Sequence, residues 1–402
     1  MSDFPAFLSR ARALQAQLTA WRRDLHQHPE LAFEERRTAG IVAAHLAGLG
    51  LEVRTGVGRT GVVGVLEGVA DGPTVMLRFD MDALPVHEET GLPFASKAPG
   101  RMHACGHDGH TAIGLGVATL LAERQQELAG RVKFVFQPAE EVGAGAQAMI
   151  ADGALADPRP DVAFGLHLWS QLPVGKAVVR SGPQWASADR FDIEIVGRGT
   201  HGALPHTGVD AVVVAAYAIV QLQSVISRSL DPLQPAVVTI GTLHTGGAFN
   251  VVAERVQMSG TLRAFDEAVR AEVIRHMHTV LQGVTAAHGA GYTLRFSEHV
   301  PPLANHPEPT ERLRRVAAAI LGEDAVGEGT LILAAEDMAE FLKRVPGCYF
   351  VLGAQPAGLE RGEPHHSPRF NIDEAALPLG AAILAAIAAS YLSHEDGHKA
   401  QP

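Results

Sequence analysis

Thr74-Val75-Met76-Leu77-Arg78-Phe79-Asp80-Met81-Asp82 reads as an apolar strand with two acids at and just past its end. In open α/β sheets ligands bind outside the carboxyl ends of the strands, so acids there are candidates for chemistry. Working outward, Val62 to Glu67 is a strand before it, and Phe7 to Leu25 and Thr38 to Leu49 are helices earlier still, the first marked by Leu8, Leu14, Leu18, Trp21 and Leu25. After it come a helix over Gly109 to Glu127, a strand over Val132 to Phe136, a helix over Gly143 to Ile150 and a strand over Val162 to His167. Strands alternating with helices imply an α/β fold with a mostly parallel sheet flanked by helices.

The pattern changes after Gly182. Phe191, Ile193 and Ile195 alternate with Asp192 and Glu194, the mark of a sheet with one wet face. A helix from Val209 to about Arg228 follows, then strands over Val237 to His244 and Val256 to Ala264, a helix from Glu267 to about His288, and a strand over Tyr292 to Glu298. That order is β-α-β-β-α-β, a ferredoxin-like α+β arrangement. Past Pro301-Pro302 the α/β character returns, with helices near Glu311 to Leu321, Ala335 to Lys343 and Glu374 to Leu392. The second unit therefore reads as an insertion into the first, with expected boundaries 1–185 and 299–402 for the outer domain and 186–298 for the inserted one.

A chain of 402 residues is too long for one core, so two domains are expected in any case. A net charge of −11 argues against a nucleic-acid surface, which needs a basic patch. Two cysteines, Cys105 and Cys348, are too few for a disulfide framework and point to a reducing compartment. The N-terminal Met1-Ser2-Asp3-Phe4-Pro5 lacks the positive charge of an export signal, so a soluble cytoplasmic protein is expected. The most apolar windows, Ala211 to Val225 and Leu379 to Leu392, are shorter than the roughly 20 residues of a bilayer span and read as buried helices.

The chemistry concentrates in His103-Ala104-Cys105-Gly106-His107-Asp108-Gly109-His110, where thiol, imidazole and carboxylate groups crowd together. Thiolate with imidazole suits zinc-like ions. Other strand ends and loops carry Asp80 and Asp82, Glu140 and Glu141, His167, and His365-His366. Each alone has a plainer reading, an acid capping a helix or a hydrogen-bonded histidine. Together they fall at expected strand ends or loops on one sheet. Asp108 reads as a cap for the helix behind it, and Cys348 as a buried core thiol.

These motifs resemble the dinuclear metal-dependent aminoacylase and carboxypeptidase family, in the branch of hippurate hydrolases, auxin-conjugate amidohydrolases and N-acetyldiaminopimelate deacetylases. The resemblance runs from His26-Gln27-His28-Pro29-Glu30 to Ile372-Asp373-Glu374. It is carried by Asp80-Met81-Asp82-Ala83-Leu84-Pro85, His103 to Asp108, Pro138-Ala139-Glu140-Glu141 and His366-Ser367-Pro368. It implies a zinc-exopeptidase-like catalytic domain and two divalent metal ions, from zinc, manganese, cobalt or nickel. The implied ligands are Cys105, His107, Glu141, His167 and His366. Glu140 matches the general acid/base, and Asp82 an acid that orients a metal-bound imidazole. Other branches have a histidine ligand where Asp80 stands.

In the inserted unit, Gly197 to Ala203 resembles a segment whose histidine, here His201, reaches the scissile carbonyl, in many members from a neighbouring subunit. Asn250 and Arg263 match segments that hold the substrate's carboxylate. Their plainer readings are a turn residue and a surface ion pair. The resemblance implies hydrolysis of an N-acyl-amino acid, hippurate-like or N-acetylated, to a carboxylic acid and a free amino acid. It also implies a homo-oligomer, dimer or tetramer, joined through a lid and dimerisation domain, with no membrane or nucleic-acid partner. Cleavage of a dipeptide on the same fold, metal binding without turnover, and a covalent Cys105 nucleophile remain as alternatives.

Overall fold

The computed structural model describes residues 4–393. Met1 to Asp3, on which the reading of the N-terminus partly rests, lie outside the described residues. The chain divides into two compact units. The first comprises the described residues up to Gly182, Asn305–Thr330, and those from Glu340 onward; the second comprises Pro183–Ala304 and Leu331–Ala339.

Eight strands form the sheet of the first unit, in the order Glu52–Val57, Gly61–Glu67, Ala129–Gln137, Ala70–Asp80, Val162–Pro173, Gly347–Gln355, Ala177–Val178, Val326–Gly327. The four central strands run parallel. Antiparallel pairs lie toward the edges. Thr74 to Asp80 is buried at every position, as a strand covered on both faces must be, and this is why it reads as an unbroken apolar run. Gly347–Gln355 is equally buried, yet sequence reading sees only an apolar stretch around Cys348. A short apolar run without alternation does not distinguish strand from buried helix.

Helices cover this sheet. Val117, Leu120 and Leu121 of His107–Ala122, and Ile383, Leu384 and Ile387 of Leu377–Leu392, belong to the main core. Both helices are buried nearly all round. The expected helix over Phe7 to Leu25 is two helices, Phe4–Ala13 and Gln15–Gln27, because Leu14 leaves helical geometry at φ −87 and ψ 0. Two stretches, Ala211–Ser229 and Glu374–Leu392, are long and apolar enough to cross a membrane; the second is 89% buried within the protein.

The second unit carries a four-stranded antiparallel sheet in the order Ala236–Thr245, Arg255–Ala264, Ala188–Val196, Gly291–Val300. Phe191, Ile193 and Ile195 face the helices Ala211–Ser224 and Glu267–His288, and Asp192 and Glu194 lie on the wetter side. Each helix starts on an aspartate whose side chain accepts from the first-turn amides. Asp210 accepts from Val212 and Val213, and Asp266 from Ala268 and Val269. The chain order of these elements makes the ferredoxin-like arrangement.

Candidate metal and catalytic centre

In the first unit, Asp80 stands opposite Gln137 where two parallel strands end side by side, so Asp82 and the Glu140-Glu141 pair emerge next to each other. His167 lies mid-strand, because Val162–Pro173 continues well past the expected end. Its pairing with Ala70–Asp80 nevertheless stops at Gly165 opposite Arg78, which leaves His167 level with Asp80. The longer strand persists because Gly347–Gln355 keeps pairing with it on the other side. Cys105 and His107 flank Gly106, whose φ of 96 turns the chain into the His107–Ala122 helix. A side chain at that φ would be strained, and the glycine is what lets both ligand candidates sit at the helix entrance.

The hydrogen bonds assign roles to the imidazoles. His110 accepts the Leu168 amide on Nε2 at 2.9 Å, so its proton sits on Nδ1 and is donated to Asp80 Oδ1 at 2.6 Å. Both nitrogens are used, and no lone pair remains for an ion. His167 donates from Nδ1 to its neighbour's carbonyl, Leu168 O, at 2.8 Å, which leaves the Nε2 lone pair 3.5 Å from Cys105 Sγ. His107 donates from Nδ1 to Asp82 O at 3.0 Å, with Asp82 Oδ1 at 3.3 Å. Its Nε2 then faces Asp80, Glu140 and Glu141 oxygens, each at 3.8 Å. Asp82 Oδ2 accepts the Glu141 backbone amide at 3.0 Å, so one carboxylate serves both His107 and the acidic pair. His366, with φ of 66, brings Nε2 to 3.3 Å from Glu141 Oε2.

Electrostatics fit the same picture. Burial pushes the Cys105 thiol well above its usual pKa, and Glu141 adds to this. Burial pulls His107 down, but Asp80, then Asp82, leave it well above the ordinary imidazole value. Burial also works against ionisation of Asp80, yet His107, His110 and Arg78 hold it well below the carboxylate range. Burial takes His103 down to about 4, and neither of its ring nitrogens has a hydrogen-bond partner among the described residues. Burial likewise takes His365 to about 3; its Nδ1 lies 3.7 Å from Cys105 Sγ.

The residues present fit divalent ions. His107 Nε2 and Glu141 Oε1 are buried without hydrogen-bond partners among the described residues and lie 3.8 Å apart. Cys105 Sγ and His167 Nε2 stand 3.5 Å apart, close to the roughly 3.6 Å between a sulfur and a nitrogen on one tetrahedral ion. Cys105, His107 and His167 form one set whose ligand atoms all lie within 4.8 Å of one another, and Cys105, Glu141 and His366 form a second. Cys105 belongs to both. A cation would also reverse the thiol's raised pKa, since a coordinating thiol ionises.

The second unit brings His201 and Asn250 together and leaves Arg263 apart. His201 pairs with Val251, and the Gly202 amide donates to Asn250 O at 2.8 Å. Both side chains are exposed. The Ala203 amide donates to His201 Nδ1 at 3.0 Å, so the ring's proton sits on the outward Nε2. Arg263 lies next to the Ala264 end of the Arg255–Ala264 strand, far from the Val251 side. At about 3.3 Å per residue that is roughly 25 Å away. Burial lowers the Arg263 guanidinium's pKa, and Asp189 opposes this.

Two features escape sequence reading. Asp108 does not cap its helix. It lies inside the first turn, fully buried, where Arg22 Nε donates to Oδ2 at 2.8 Å and His26 Nδ1 reaches the same oxygen at 2.8 Å. Glu35 is also fully buried, and burial raises its pKa; it accepts from the backbone amide of Ala139, beside Glu140. Partners this far apart in the chain leave no local spacing signal.

Residues 76–390 match the family described as Peptidase family M20/M25/M40. The chain is 39% identical over 386 residues to an N-acetyl-L-cysteine deacetylase of Bacillus subtilis, covering 96% of this chain and 88% of that one. It is 37% identical over 378 residues to the IAA-amino acid hydrolase ILR1-like 2 of Arabidopsis thaliana, covering 93% and 85%. Among solved structures it is similar to the Bacillus subtilis YXEP protein, titled a dinuclear metal binding peptidase of the M20 family. The TM-score is 0.84 at 36% identity, covering 95% and 99%.

Proposed function

The chain belongs to Peptidase family M20/M25/M40 and is a metal-dependent amidohydrolase, and from that premise we propose that it hydrolyses N-acyl-amino acids to a carboxylic acid and a free amino acid. The observation that carries this reading is the adjacent pair Glu140-Glu141 beside Cys105, His107, His167 and His366. Glu141 belongs to the set with Cys105 and His366, and we assign proton transfer to Glu140, which also stands in a set with His107 and Glu141. The names of the deacetylase and of the IAA-amino acid hydrolase, each an acyl group on an amino acid, support the substrate class.

In this reading Cys105, His107, Glu141, His167 and His366 would hold two divalent ions. Their sulfur, nitrogen and carboxylate donors suit zinc, manganese, cobalt or nickel. When bound, the ions polarise the scissile carbonyl and acidify a water for attack at neutral pH. Glu140 takes a proton from the attacking water and returns it to the leaving amine nitrogen as the amide bond breaks. Asp82 keeps the His107 proton on Nδ1 and the Glu141 backbone in place. His201 donates from Nε2 to the developing oxyanion. Asn250 and Arg263 hold the substrate's carboxylate, the guanidinium as a two-pronged donor.

The roughly 25 Å between His201 and Arg263 within one copy exceeds the span of an N-acyl-amino acid. We therefore assign His201 and Asn250 to the active site of a second copy in a homodimer or tetramer joined through the inserted lid domain, residues 186–298. Val213, Tyr217 and Val220 are exposed at helical spacing on the Ala211–Ser224 helix of that unit, an apolar stripe that suits such a contact. Both cysteines are free thiols, which supports a cytoplasmic setting. The test is a panel of N-acetyl- and N-benzoyl-amino acids beside dipeptides, with metal content measured. Hydrolysis of the acyl compounds, abolished by dialysis against a chelator, is expected. Preference for dipeptides, or activity that survives chelation, overturns the proposal.

A further inference from the structure

Four non-glycine residues have φ in the left-handed region among the described residues: Phe33 at 63, Arg59 at 78, Ala139 at 53 and His366 at 66. L-residues avoid this region, so each needs its surroundings to hold it there. Three of the four converge on one carboxylate. Glu35 Oε1 accepts the Phe33 amide at 2.9 Å and the Ala139 amide at 2.9 Å. Glu35 Oε2 accepts the hydroxyl of Thr60, the neighbour of Arg59, at 2.5 Å. The Arg59 guanidinium lies 4.4 Å over the Phe33 ring, tying two of the segments together a second time. The clasp is entirely buried at Glu35 and Ala139, where no water can replace a lost acceptor.

Ala139 immediately precedes Glu140 and Glu141. Its carbonyl accepts the amides of Ala144 and Gly145, and Glu140 O accepts the Gly143 amide, so these bonds close one tight turn around the acidic pair. We propose that Glu35 is a positioning residue that fixes this turn, and with it the direction of the Glu140 carboxylate. The inference rests on the general-base role given to Glu140. It needs the three hydrogen bonds of Glu35 and not its charge. A glutamine can keep all three, because its carbonyl faces the two amides and its NH2 donates to a Thr60 oxygen that turns from donor to acceptor.

The experiment compares Glu35→Ala, Glu35→Gln, Thr60→Val and Glu140→Gln with the full-length enzyme on an N-acyl-amino acid. Native-state hydrogen exchange of residues 138–145 is measured on metal-free samples of the same proteins. Glu35→Ala is expected to lower kcat by about 100-fold, as about 1 Å of misplacement does, with KM within about threefold. It should also speed amide exchange across 138–145. Glu35→Gln restores both kcat and protection. Thr60→Val, which leaves Glu35 in place, shows a smaller loss of kcat and decides the matter if Glu35→Ala does not fold. An inactive Glu140→Gln beside a Glu35→Ala or Thr60→Val of wild-type kcat overturns the positioning role alone. A Glu35→Gln as slow as Glu35→Ala also overturns it. A fully active Glu140→Gln overturns the general-base reading and the inference with it.

Discussion

Replacing Asp82 by asparagine keeps the shape of the side chain and removes one acceptor. The two oxygens of Asp82 now meet two donors, His107 Nδ1 at 3.3 Å and the Glu141 amide at 3.0 Å. An asparagine carbonyl can serve one of them, and its NH2 then points at the other. An orphaned buried donor costs about 1–3 kcal/mol. His107 keeps its bond to the Asp82 backbone carbonyl at 3.0 Å, so the imidazole does not lose its orientation entirely. The expected loss therefore lies near the low end, about 1.4 kcal/mol, or about tenfold in metal affinity. Chelator competition at fixed pH reads that affinity directly. Turnover at saturating metal should recover most of the wild-type rate, because Glu140 is untouched. Wild-type metal affinity in Asp82→Asn would refute the coupling of Asp82 to His107 and Glu141.

Other outcomes follow from the same contacts. Arg22→Met leaves the buried Asp108 carboxylate without its guanidinium and should lower unfolding stability by about 3–5 kcal/mol in urea titration; a change under about 1 kcal/mol would show that the pair is not desolvated. His26 is pulled down by burial but raised overall by Asp108, so its imidazolium stabilises the fold below the unfolded pKa of about 6.5 and this contribution fades as pH rises through the higher folded value. The stability gap between wild type and His26→Gln should be full below about pH 6.5 and shrink as pH rises above it, and a gap that widens contradicts the assignment. Gly145→Ala places a Cβ at 1.6 Å from Pro138 O, so the turn that carries Glu140 must open; a variant with wild-type kcat and melting temperature would show that the turn is not needed.

The strands leading to Asp80, Asp82, Glu140 and Glu141 are readable in sequence because each is an apolar run with acids at or just past its end. The inserted unit is readable because Phe191, Ile193 and Ile195 alternate with Asp192 and Glu194. The central strand Gly347–Gln355 escapes because burial on both faces erases its alternation. Asp108 escapes as a buried ion-pair member because its partner Arg22 lies on a separate helix. Glu35 escapes because its role exists only where segments around Phe33, Thr60 and Ala139 meet. The separation of Arg263 from His201 and Asn250 needs strand register, which motif matching ignores.

The central claim is that Glu140 moves the proton while Glu141 and its neighbours hold the metals. The most direct test is Glu140→Gln, with turnover of an N-acyl-amino acid and bound metal measured on the same sample. Loss of turnover with metal content equal to wild type is expected. A Glu140→Gln enzyme that carries its metals and hydrolyses the substrate at the wild-type rate would contradict it.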